Sequence, residues 1–341
     1  MTPRFCESLA LKTTLGIGGP ASVFVLAEND ADVVAATSYA REHSAPLRVI
    51  GAGSNLLVPD EGIDAVVVRL LGGSISFETV RDGSVLVTAG AGVAWDALVD
   101  AAVERGLYGV ENLAGVPGTV GGAAVQNIGA YGAVLSDVFA YAEVYNTLTG
   151  AIERIERAHA AFGYRASIFK RRRECIILRV ALRLSDSGRL TLAYPDLVRF
   201  QAERGQLETP AQAIQAIRSI RAEKFPNLLE EGTAGSFFAN PVISERAAQE
   251  LAARFPGLPL FPLPESPGRM KVPLAWILEH VLHLKGFALG TARLYEKHAL
   301  VVVVSRGANA RAVDTLAAEV AQRVRAATGI VVEREVETFT A

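Results

Sequence analysis

Two glycine-dense segments carry the residue types best suited to chemistry. GAGSN (51–55) and GVPGTVGGAAVQNIGAYG (115–132) can present successive backbone N–H groups in a concave nest. A nest of this kind binds phosphate, needs small residues and positive φ angles, and requires no helix. Two of them could grip one diphosphate; tight turns without a ligand are the alternative. A Rossmann fingerprint is excluded. In GAGSNL the third glycine position holds Leu56, and the following LVPDEG cannot open a helix. GAGVAW (90–95) fails in the same way, with Trp95 at that position. GIGGPA (16–21) has the G-x-G-x-x-A spacing but precedes a strand, and Pro20 lacks a donor N–H.

Three charged clusters say less by themselves. Glu279, His280 and His283 in EHVLH lack the HExxH order and an obvious third ligand, so a partly buried helix face is expected there rather than a metal. KRRRE (170–174) reads as a solvated charge cluster. In a strand over GIVVEREVETF (329–339), Glu333, Glu335 and Glu337 would share one face, which by itself reads as a solvated edge.

The elements that must position these groups follow from periodicity. Residues 22 to 110 alternate β-type runs (SVFVL, LRVI, AVVVRL, SVLVTA) with helical stretches (DADVVAATSYAREH, AWDALVDAAVERG), an α/β or α+β pattern. The 109–132 stretch then interrupts it. Its Val, Leu, Ile and Tyr content marks ordered backbone wrapped closely around something rather than a disordered linker. Strands resume near 141–147 and 174–184, a helix near 210–223 ends before Pro226, and a boundary falls near 190–230. Beyond 244 come a helix, a proline-rich stretch (255–268), a helical LAWILEHVL, the strand ALVVVV (299–304) and a long helix. The long helix carries Ala310, Val313, Leu316, Ala317, Val320 and Val324 at helical spacing.

Bulk composition narrows the function class. A chain of 341 residues, 50% hydrophobic and 21% charged, exceeds the size of a single core. A net charge of -2 leaves no broad footprint for nucleic acid or an anionic membrane. Cys6 and Cys175, far apart, form neither a disulfide framework nor a metal cluster, and suit a reducing compartment. No apolar run reaches the length of a signal peptide core or a membrane span, so a soluble cytoplasmic protein is expected.

TTLGIGGPA (13–21), GAGSNLLVPDEG (51–62), GVPGTVGGAAVQNIGAYG (115–132), FGYRASIFK (162–170), GSFFANP (235–241) and EREV (333–336) occur in this order over nearly the whole chain. Together they resemble the UDP-N-acetylenolpyruvoylglucosamine reductase (MurB) family, in its longer form with a Tyr-bearing loop between Arg165 and Ser236. The resemblance implies an α+β fold: a two-lobed FAD-binding domain of the vanillyl-alcohol-oxidase/PCMH type plus a smaller α+β substrate-binding domain. The expected boundaries are 1–200 for the FAD domain (lobes of about 1–70 and 71–200), 201–328 for the substrate domain, and 329–341 for a C-terminal strand returning to the active site.

By the same resemblance, FAD is cradled by Gly51, Ala52, Gly53, Ser54 and Asn55 and by Gly115, Pro117, Gly118, Thr119, Gly121, Gly122, Asn127 and Gly129. Neither loop contains His or Cys, so the flavin is expected to be non-covalent. NADPH is the implied hydride donor and UDP-N-acetylglucosamine enolpyruvate the substrate, reduced to UDP-N-acetylmuramate for peptidoglycan precursor synthesis. Ser236 is the implied proton donor, with Phe237 and Phe238 excluding water. Arg165 would hold the developing enolate with its forked guanidinium, and Glu335 would stabilise or protonate the intermediate. Choosing Glu335 over Glu333 rests on the resemblance alone. Tyr164, Tyr194, Lys224, Asn240 and Lys285 are the implied substrate contacts, whereas His298 stands where a polar contact would be expected and is left outside the set. The implied enzyme needs no metal, nucleic acid or membrane and is a monomer. A flavin oxidase on the same fold and a non-catalytic UDP-sugar binder are the competing readings.

Overall fold

A computed structural model of the chain describes all residues except 264, 265 and 306; two positions of the proline-rich stretch therefore lie outside the described residues. The first lobe is a four-stranded sheet ordered Pro3–Ser8, Pro20–Ala27, Ile63–Leu70, Leu47–Val49, antiparallel at its first pair and parallel elsewhere. Helix Asp30–Glu42 covers one face. Asn29 caps it by accepting from the Asp32 amide at 3.1 Å, and Asp30 and Asp32 place negative charge at its positive end.

The second lobe is a five-stranded antiparallel sheet ordered Ile152–Glu156, Phe139–Asn146, Cys175–Ser185, Ser84–Gly90, Ile75–Thr79. Its core takes in helix Trp95–Val103 through Trp95 and Leu98, and also Leu197, Ile214 and Ile217. Helix Pro210–Lys224, expected on the substrate-domain side of residue 200, thus packs on the second lobe. Tyr145, Ile176 and Leu178 of the second sheet are buried with Val25, Val66 and Val68 of the first, which fuses the two lobes.

A third core lies under the sheet Gly232–Ser236, Val301–Val304, Ala292–Leu294, Ala288–Leu289 and helix Ala310–Thr328. The expected periodic residues of that helix are all buried. Val301 to Val304 are buried on both faces, each side chain contributing about 1.5–3 kcal/mol relative to exposure. Two expectations change. LAWILEHVL is α-helical only at Leu274–Trp276 and widens into a π-turn at Ile277–Val281, a local insertion frequent at functional sites. The C-terminal segment is regular only at Glu337–Thr338, paired in parallel with Leu56–Leu57. Residues 333–335 instead bond to 237–239, through Ala239 N to Glu333 O at 3.0 Å and Glu335 N to Phe237 O at 2.9 Å. Among the described residues no helix is long and apolar enough to cross a membrane.

Candidate active site

The glycine segments meet each other. A Cβ on Gly51 would lie 2.7 Å from Thr119 Oγ1, so only glycine lets the two loops approach this closely. Ser54 Oγ donates to Pro117 O at 2.9 Å, tying them a second time. Behind the first loop, Thr14 N donates to Gly53 O at 3.3 Å, which explains the TTLG block: it backs the loop rather than forming a fingerprint. The second loop contains an element that its sequence did not suggest. Thr119 caps a seven-residue helix, Val120–Gln126, accepting from Gly122 N at 3.3 Å. Packing made this helix: Val120 N and Gly121 N donate to Val93 O and Ala91 O at 2.9 Å each.

These loops form one wall of a cavity of about 1130 Å³, larger than the 300–1,000 Å³ or so of a typical single-ligand pocket. All of Gly51 to Asn55 line it, as do Gly115, Pro117, Gly118, Thr119, Gly121, Gly122 and Gly129. Gln126 also lines it, and its Oε1 is buried without a protein partner, an acceptor left for a ligand's donor. The donors, the missing Cβ atoms and this orphaned oxygen fit a dinucleotide cofactor. Cys175 reaches the same wall from strand Cys175–Ser185, but burial pushes its thiol pKa up, away from the reactive thiolate.

Ser236, Arg165 and Glu335 line the same cavity and adjoin the cradle, since Asn55 Nδ2 donates to Glu335 O at 3.0 Å. Ser236 ends strand Gly232–Ser236 beyond an irregularity in its pairing with Val301–Val304. Gly235 has φ +74° with open space around a built Cβ, so conformation rather than room demands glycine there. Phe237 and Phe238 are 1% and 2% exposed and pack edge to face at 5.3 Å in the third core. They anchor Ser236 from behind and do not cover the cavity, contrary to the water-excluding role expected for them.

Arg165 Nε lies 2.7 Å from Glu335 Oε1, an ion pair in which the N–H does not point along the contact. Arg165 also has φ 52°, a strained left-handed backbone of the kind that clusters at functional sites. Burial raises the Glu335 pKa above 4.5 despite the opposing Arg165 and Lys170 charges. Glu333, by contrast, is exposed.

Of the implied substrate contacts, Tyr194, Lys224 and Asn240 line the cavity. Tyr194 stacks edge to face on Tyr131 at 5.2 Å, and Lys224 pairs with Asp196 at 3.0 Å. Asn240 Nδ2 reaches the Tyr164 hydroxyl at 3.4 Å, with Tyr164 behind it rather than on the wall. Lys285 is off the wall, paired with Glu279 at 3.0 Å. Asn127 is also off the wall, buried at 5% exposure.

Sequence reasoning set aside one cavity residue, His298, and missed others. His298 lines it, with Nδ1 3.4 Å from Glu279 Oε1. Burial opposes ionisation of Glu279, but hydrogen bonds from His298, Lys285 and the Ala299 amide outweigh it and hold the carboxyl at about 2. Arg221 lines the cavity too, bonded to Tyr131, and burial lowers its pKa; burial likewise pushes the Tyr131 phenol up to about 12. A signal existed, since Arg218, Arg221 and Lys224 form a basic stripe at helical spacing. KRRRE is not merely solvated: Lys170 and Arg173 line the cavity, and Lys170 pairs with Glu337 at 2.8 Å.

Two fused lobes, a glycine cradle and a third core closing over it define a two-lobed FAD-binding flavoprotein with an appended substrate domain. Residues 21–156 match the FAD binding domain family, and residues 227–339 match the C-terminal domain of UDP-N-acetylenolpyruvoylglucosamine reductase. The UDP-N-acetylenolpyruvoylglucosamine reductase of Pseudomonas aeruginosa is 39% identical over 339 residues, covering 98% of this chain and 99% of that one. That of Saccharopolyspora erythraea is 35% identical over 342 residues, covering 96% and 93%. The crystal structure of the reductase from Thermus caldophilus aligns with a TM-score of 0.67 at 27% identity, over 99% of this chain and 98% of that one. The chain belongs to the UDP-N-acetylenolpyruvoylglucosamine reductase family.

Proposed function

We propose that the chain reduces UDP-N-acetylglucosamine enolpyruvate to UDP-N-acetylmuramate in peptidoglycan precursor synthesis, with non-covalent FAD and with NADPH as electron donor. The observation that carries this is the convergence of Ser236, Arg165 and Glu335, remote in sequence, on the cavity that the glycine cradle lines. FAD, when bound, supplies hydride-transfer chemistry between NADPH and the alkene. The chain's own residues handle the proton and the charge. Arg165 holds the substrate carboxylate and the negative charge that develops next to it. Ser236 Oγ–H gives the proton to the carbon bearing the carboxylate. Glu335, whose pKa burial raises and whose amide is tied to Phe237 O, is suited to returning a proton to the serine. Tyr194, Lys224 and Asn240 hold the UDP-sugar, and Lys224 with Arg221 supplies positive charge for a diphosphate. The small net charge offers no footprint for a nucleic-acid partner, and the chain is taken to act in the cytoplasm as a monomer.

The test is an absorbance spectrum of the purified protein followed without oxygen. Flavin bands should bleach with NADPH and return on adding the enolpyruvyl sugar. A reduced flavin that the sugar leaves bleached would defeat the proposal.

A further inference from the structure

We propose that Asn127 is a positioning residue for Arg165, acting from behind the cofactor cradle rather than touching the cofactor; this rests on the reading of Arg165 as the group that holds the substrate carboxylate. Asn127 ends helix Val120–Gln126 in the left-handed conformation, with φ 43° and ψ 61°. Asparagine is, after glycine, the residue that best tolerates that backbone, and here its side chain is engaged as well. Both ends of its amide are engaged. Nδ2 donates to Gly163 O at 2.9 Å, and Oδ1 accepts from Ser136 N at 3.0 Å.

Gly163 opens the turn that carries Arg165. Gly163 and Ala166 exchange both backbone hydrogen bonds, at 3.0 and 3.1 Å, with Arg165 strained between them. On the far side of the turn, buried Ser167 donates from Oγ to Val125 O at 2.7 Å. The arginine turn is therefore fastened at both ends to the last turn of one helix. That same helix starts at Thr119, Gly121 and Gly122 on the cradle wall. Seven residues rise about 10 Å, so a short rigid strut sets the separation between the cradle and the arginine. Loss of the tie would leave Arg165 in reach of Glu335 but free to drift, and misplacement by about 1 Å costs roughly 10²-fold.

Asn127→Gly keeps the left-handed backbone and removes both side-chain bonds. In the FAD-loaded protein we expect flavin bleaching by NADPH, and KM for NADPH, to stay within about 3-fold, while kcat with the sugar falls about 30- to 100-fold and its KM rises. In an Arg165→Ala background the same change should alter kcat by less than about 3-fold, because one interaction cannot be lost twice. Asn127→Asp, which keeps the acceptor but sets a carboxylate against Gly163 O, should not restore turnover. Should Asn127→Gly fail to fold, Ser167→Ala loosens the other end of the turn and should give the same pattern at about 3- to 10-fold. Losses that multiply with Arg165→Ala, equal losses in both half-reactions, or rescue by Asn127→Asp overturn the proposal. Wild-type protein that never reoxidises with the sugar would instead remove the proposed function beneath it.

Discussion

The cavity region formed by residues 51–55 and 115–122 is dense in glycine, whereas the region formed by Ser236, Arg165 and Glu335 carries a hydroxyl and two charged side chains. The first is built by what is missing: a Cβ at Gly51 would strike Thr119. The second is built by charge, with one ion pair half withdrawn from water. The contrast separates two tasks. A cofactor retained through every turnover suits fixed N–H donors, while a substrate that gains a hydride and a proton suits groups that can change protonation.

Three changes would break or sharpen this contrast. The largest effect should come from Ser236→Ala, which leaves FAD binding and reduction by NADPH intact while product formation falls about 10²- to 10⁴-fold in stopped-flow reoxidation by the sugar. Unchanged reoxidation would take Ser236 out of the chemistry. Gly51→Ala should act the other way, weakening FAD about 10- to 100-fold by titration of apoprotein through the pried-apart loops, with near-normal turnover in molecules that hold it. Equal affinity would mean that the loops part without affecting the cofactor.

The smallest effect is a stability difference for Glu335→Gln. Burial raises the folded-state pKa of Glu335, so the folded chain holds that proton more tightly than the unfolded chain does. Its contribution is full below the unfolded value of 4.5 and is lost as pH rises through the raised folded value. The glutamine variant should therefore melt higher than wild type at pH 8 and equally at pH 4. A wild type that gains on the variant with rising pH would show the Arg165 pairing to outweigh burial.

Much of the site could be read from the chain because its blocks encode local geometry. GSFFANP carries the left-handed Gly235 and the serine beside it, and FGYRASIFK is a whole turn. Helix Val120–Gln126 escaped because two glycines weaken its propensity and its support comes from Ala91 and Val93 on a distant loop. His298 draws notice in the sequence but stays outside the expected set, because its setting is likewise made by distant residues. Its partner Glu279 reaches it only after a π-turn and a strand have been folded together. The aromatic pair at 237 and 238 misled because apolar bulk beside a reactive group can equally be lid or footing, and only burial tells which.

The stretch from 333 to 339 is where the three cores meet. Its backbone bonds to Phe237 and Ala239 of the third core and to Asn55 and Leu57 of the first lobe, while Glu335 and Glu337 reach Arg165 and Lys170 on the second. Synthesis delivers these residues after every sheet that they join. Val336 is buried in the third core and Phe339 in the first lobe, so the segment that carries the acid to the cavity also completes the packing of the bodies it joins, and fold and site are finished by the same residues.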